Sequence, residues 1–148
     1  MLPFAIALHL MASAVWVGGM FFAVLALRPA LAETPAHERL NIWRGVFARF
    51  FVWVWVAVAS LWGSGLWIVY SVYGGFGVVA PHVHLMTLGA AGMTVLFTYL
   101  FFGPYRTLKD AQDGTAALAL ASMRRIITVN LFIGLTTLAV GAIGEYLG

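Results

Sequence analysis

The chain has 148 residues, 63% of them hydrophobic and only 9% charged, with a mean hydropathy of +0.97. Soluble domains average about 25% charged residues, so a soluble fold of this size could not hide so much apolar surface, and the surplus must face lipid. The net charge of +3 would point to nucleic acid in a soluble protein; here its placement follows membrane topology, and no nucleic-acid partner is expected. The absence of cysteine excludes disulfides, thiolate metal sites and covalently attached haem.

A bilayer core takes about 20 mainly apolar residues per crossing helix. Four stretches qualify, at about residues 2–27, 50–72, 78–102 and 126–147, which makes residues 1–148 a single transmembrane domain. The first stretch is not read as a signal peptide, although Ala30-Leu31-Ala32 resembles a cleavage site. No Lys or Arg precedes its apolar run, which is far longer than the ~7–15 residues of a signal core. Thr34-Pro35, with Glu38 following, predicts that the second helix begins well before its apolar part. Asp113-Gly114-Thr115 does the same for the fourth.

All eight Lys and Arg lie in or beside two loops: Arg28, Arg39, Arg44 and Arg49, then Arg106, Lys109, Arg124 and Arg125. The positive-inside rule places loops 28–49 and 103–125 in the cytoplasm, with both termini and the turn Tyr73-Gly74-Gly75-Phe76-Gly77 outside. Short connections make sequential helices antiparallel neighbours. The expected fold is all-α, an integral membrane four-helix bundle of up-down-up-down topology.

An internal two-fold repeat of helix pairs is also visible. Leu8-His9-Leu10-Met11 recurs as Val83-His84-Leu85-Met86. Gly18-Gly19-Met20 recurs as Ala91-Gly92-Met93, two residues closer to its histidine. Arg28-Pro29 and Pro104-Tyr105-Arg106 close the two spans. The repeat relates helices one and two to three and four about an axis along the membrane normal, and by its histidine motif it pairs His84 with His9.

His9 and His84 sit at similar depth near the outer surface. Ionisable groups within lipid are costly and tend to face the bundle interior. His84, Thr87, Ala91, Thr94 and Thr98 form one small, polar stripe; His9, Ala12, Ser13, Trp16, Gly19 and Ala23 form another. Helices one and three are diagonal in such a bundle, roughly 12–14 Å apart for adjacent axes ~8–10 Å apart. That separation is too wide for two imidazoles to share a small ion, but it suits a haem b gripped from both faces. Copper is the alternative, through His9 and Met11 or through His82 and Met86. Taken singly, each histidine also fits a hydrogen-bonding helix contact. His82 lies about 200° round the helix from His84 and fits an interfacial residue; His37 fits a solvated loop position.

Trp43, Trp67, Tyr70 and Tyr73 fit an aromatic belt. Ser60, Gly63, Ser64 and Gly65 form a patch for close helix packing. Thr128 and Asn130 are placed to hydrogen-bond between helices. Glu145, the sole acid on the outer side, fits a solvated helix end. No nucleophile–base–acid set, phosphate loop or carboxylate pair lies in the spans, which argues against hydrolytic or transferase chemistry.

Leu8-His9, Trp16-Val17-Gly18-Gly19-Met20 and Arg28-Pro29-Ala30-Leu31 together resemble the first helix of the copper-resistance D (CopD) family. Val83-His84, Met86, Phe101-Phe102-Gly103-Pro104-Tyr105-Arg106 and Arg124-Arg125-Ile126-Ile127 with Val129-Asn130 resemble small single-domain members. The resemblance implies a multi-pass protein of a bacterial-type inner membrane connected with copper uptake or resistance. The HemJ-type protoporphyrinogen oxidases are similar in having four spans and histidine-ligated haem, which implies His9 and His84 as ligands. With no basic residue on the outer side, haem propionates would fall to Tyr70, Tyr73, water or backbone groups. Three functions are therefore expected to compete: a haem b redox or electron-transfer protein with a redox partner, a copper-handling protein, and a cofactor-free accessory subunit of a membrane complex.

Overall fold

The computed structural model describes residues 1–111 and 113–146, without the side chains of Asp113 and Glu145; the expectation for Glu145 lies outside what is described. The elements are α1 (Leu2–Ala30), α2 (Ala36–Ser71), α3 (Pro81–Phe102), α4 (Pro104–Asp110) and α5 (Asp113–Ile143), followed by a 3-10 turn at Gly144–Tyr146. Four helical stretches are long and apolar enough to cross a membrane, and no strand occurs among the described residues.

Proline and glycine set most of the boundaries. Pro29 offers no N–H to the Leu25 carbonyl, and its ring would press on that carbonyl in a regular helix. α1 widens in response: Ala23–Leu27 form a π turn in which the Arg28 N–H bonds the Ala23 oxygen. α2 has 36 residues, about 54 Å at 1.5 Å per residue, so its first turns extend well beyond a ~30 Å hydrocarbon core. It begins one residue after Pro35, which caps it in an extended conformation (φ −51°, ψ 142°).

Gly74 and Gly75 turn the chain after α2 with φ of +85° and +118°, a region other residues rarely enter. Their loop returns N–H groups to the end of the helix, Tyr73 to the Ile68 oxygen (3.3 Å) and Gly75 to the Val69 oxygen (2.9 Å). α3 starts at Pro81, three residues later than its apolar run, because Ala80 is held extended (ψ 155°) by the proline that follows. Gly103 (φ −103°, ψ −99°) breaks α3 from α4. The α4 C-terminus is then capped from a distance: Arg44 on α2 donates from Nε to the Leu108 oxygen (2.8 Å) and from Nη2 to the Ala111 oxygen (2.6 Å).

The helices form a bundle in which α1 lies closest to α2 and α3 closest to α5. Bulky rings join the pairs. Phe51 meets Phe97 (5.4 Å between centroids) and Tyr105 (4.8 Å), Trp55 meets Phe97 (5.1 Å) and Phe101 (5.5 Å), and Trp16 meets Phe97 across the centre (6.2 Å). The shared core draws on Ala12 to Ala23, Trp43 to Val58, Met93 to Leu108 and Ala116 to Leu131. In every helix these are the turns nearer the arginine-bearing end. Trp43 therefore does not belong to an aromatic belt: it is 1% exposed and stacked on Phe47. Trp67, Tyr70 and Tyr73 are exposed, as a belt requires.

Candidate functional site

Near the opposite end, glycines permit close contacts within each helix pair. A Cβ on Gly65 would stand 3.2 Å from His9 Cε1; on Gly89 it would collide with Thr137, on Gly141 with Met86, and on Gly144 with His82. Between the pairs, the Trp62 indole donates from Nε1 to Thr94 Oγ1 (3.1 Å), and nearer this end Phe76 of the α2–α3 loop lies 5.8 Å from the rings of both Tyr70 and His84.

His9 is half-buried on α1 and turns its Nδ1 edge toward α2. Ser64 Oγ lies 2.9 Å from Nδ1. The serine gives its own proton to the Ser60 carbonyl (2.6 Å), so it receives the Nδ1 proton of the histidine. In the neutral ring that leaves the lone pair on Nε2. This is how metal-ligating histidines are prepared: a partner holds one nitrogen protonated and fixes the ring, and the other nitrogen is free to ligate. Ser13, one turn along, bonds the His9 carbonyl (2.8 Å).

His84 is exposed and faces the loop after α2, its ring 5.8 Å from that of Phe76 and tilted 35°. The threonines of its stripe bond back to their own helix, Thr87 to the Val83 oxygen, Thr94 to Ala90 and Thr98 to Thr94, a habit that leaves them little to offer a ligand. His82 is half-buried against Gly144 and Met86 against Gly141, so this pair shares the face of α3 turned toward α5. Met11 is 61% exposed. His37 is exposed on the first turn of α2. Among the described residues no three of His, Asp and Glu gather as a metal-binding group.

Packing aligns the repeat differently from the histidine motif. His9 and His84 are 84 − 9 = 75 residues apart, whereas the buried methionines Met20 and Met93 are 93 − 20 = 73 apart. A shift of 73 pairs His9 with His82; His9 packs against Gly65 of α2, and His82 against Gly144 in the turn after α5.

The two best-formed cavities are small. One of about 20 Å³ is lined by Trp16, Phe97 and Asn130 among others, and one of about 10 Å³ by Arg28, Trp43 and Arg124 among others. Neither approaches the roughly 300 Å³ of a ligand pocket, so a porphyrin has no place in the packed half. His9 offers a half-buried imidazole on α1, and His84 an exposed one beside Phe76.

Sequence reasoning missed the serine. Ser64 was legible as part of a small-residue patch, and His9 as a polar intrusion, but which α2 residue faces His9 depends on the crossing of two helices. Asn130 was legible: its Nδ2 reaches the Met93 oxygen on α3 (3.4 Å). Thr128 bonds its own helix at the Arg124 oxygen instead.

A family model described as copper resistance protein D matches residues 44–143. No curated protein and no solved structure matches the chain. The match spans α2 from Arg44 onward and all of α3, α4 and α5, and so includes His82 and His84, while His9 lies before it. By that match and its four membrane-spanning helices, the chain belongs to the CopD family and is a multi-pass membrane protein.

Proposed function

We propose that this protein holds a redox metal centre at its histidine end, as haem b carried between His9 and His84. The observation that supports the reading is the preparation of His9, whose Nδ1 is held by Ser64 so that Nε2 is the free lone pair. Bound haem b would supply one-electron transfer. The chain's own part is to orient His9 through Ser64 and to let the edge of its ring approach Gly65 closely. The distribution of Lys and Arg supports a topology with the histidine end outside a bacterial-type inner membrane and the arginine end in the cytoplasm.

The test is the absorption spectrum of protein purified from haem-replete cells. A Soret band that shifts or disappears in His84→Ala supports bis-histidine ligation; a colourless wild-type protein sinks it. A copper site is the second reading, favoured by one observation: His82 and Met86 share the face of α3 packed on α5, a donor pair suited to copper. It predicts stoichiometric copper in metal analysis, lost in the His82→Ala, Met86→Leu double variant. Absence of both cofactors, with loss of a membrane partner on deletion, would instead match an accessory subunit.

A further inference from the structure

At the arginine end, α1, α2 and α5 enclose a notch lined by Ala23, Val24, Arg28, Trp43, Arg124 and Thr128, together with Ile127. Its volume of about 10 Å³ is room for one water-sized group. Two N–H groups of the lining residues are buried with no acceptor: Trp43 Nε1 and Arg124 Nε. The Arg124 guanidinium lies over the Trp43 ring, 5.5 Å from its centroid, and Arg28 and Arg39 are near enough to act on it electrostatically. No carboxylate lines the notch, and the Thr128 hydroxyl gives its proton to the Arg124 carbonyl. The π turn widens α1 at this level, and two of its residues, Ala23 and Val24, form one wall. Such turns often mark functional positions.

Buried donors without acceptors are costly, and clustered guanidinium charge without a counter-ion adds to that cost. Both are relieved by one anion with several acceptor oxygens. We propose that the notch is a phosphate-binding site, taking one oxygen at the Trp43 and Arg124 N–H groups, with Arg28, which also lines the notch, facing the rest of the charge. The notch lies where α1 passes from its apolar span to Arg28, the level of lipid headgroups. Basic pockets between transmembrane helices at that level recruit anionic headgroups, so the source of the phosphate is an anionic phospholipid or free phosphate.

The test uses the full-length protein in phosphatidylcholine nanodiscs, titrated with phosphatidylglycerol and, in a parallel arm, with inorganic phosphate. Binding is read by thermal shift and by native mass spectrometry. Wild type should bind, Arg124→Gln about ten-fold more weakly and Trp43→Phe about five-fold more weakly, from the loss of one charge-assisted and one neutral donor. Trp43→Phe keeps an aromatic ring beside Phe47 while removing Nε1, and circular dichroism of each variant guards against a folding artefact. Arg125→Gln, at an exposed neighbour, should bind as wild type. Saturation by phosphatidylglycerol alone assigns the headgroup; saturation by inorganic phosphate at the same residues assigns the free ion. Equal binding by wild type, Arg124→Gln and Trp43→Phe overturns the proposal, as does an Arg125→Gln loss matching that of Arg124→Gln, which would mean diffuse charge rather than a site.

Discussion

Trp16 and His9 sit two turns apart on the same helix and live by different rules. Trp16 is 2% exposed and touches Phe97 across the bundle; it belongs to a core that all four long helices share. His9 is half-buried and is held by Ser64 on the paired helix alone. The same contrast separates Phe97 from His82 and His84 on α3. Interlocking rings are concentrated toward the arginine end, whereas His9, His82 and His84 make local contacts near the other. A side chain at the histidine end can therefore change without unravelling the bundle.

That contrast can be broken or sharpened by substitution. The largest effect should follow Trp16→Ala, which empties the centre of the shared core. A loss of about 3–5 kcal/mol is expected for such a truncation, read as a lowered unfolding temperature in detergent. A loss below 1 kcal/mol would mean the core is not shared. Ser64→Ala should cost about 1 kcal/mol in unfolding and weaken retention of the metal centre by about 10–100-fold, the usual cost of removing a ligand's orienting partner. Equal retention in the variant would detach Ser64 from the site. Arg44→Gln removes the charge-assisted bonds to the Leu108 and Ala111 carbonyls and should cost about 2 kcal/mol, with faster hydrogen exchange confined to α4. Trp62→Phe, which deletes the bond to Thr94, should cost about 1 kcal/mol and leave the aromatic core intact.

Much of the architecture was legible because lipid leaves the chain few options. An apolar run long enough to span must be a helix, and so four spans could be read directly from residue type. Their ends were less legible where proline intervened: Pro29 reshaped α1 into a π turn, and Pro81 delayed α3. Charge placement located Arg44 at the loop level but not on the carbonyls of α4, since that pairing joins residues 64 and 67 positions apart. His9 stood out by its polarity. The motif Leu-His-Leu-Met pointed to His84 as its counterpart, while the spacing of the buried Met20 and Met93 matches it to His82.

The most direct measurement is the absorption spectrum of His9→Ala beside wild type, extracted from the same haem-replete membranes, with circular dichroism to confirm equal helix content. The account predicts a Soret band in wild type that is absent from His9→Ala at unchanged helicity. An identical band in both proteins would contradict it.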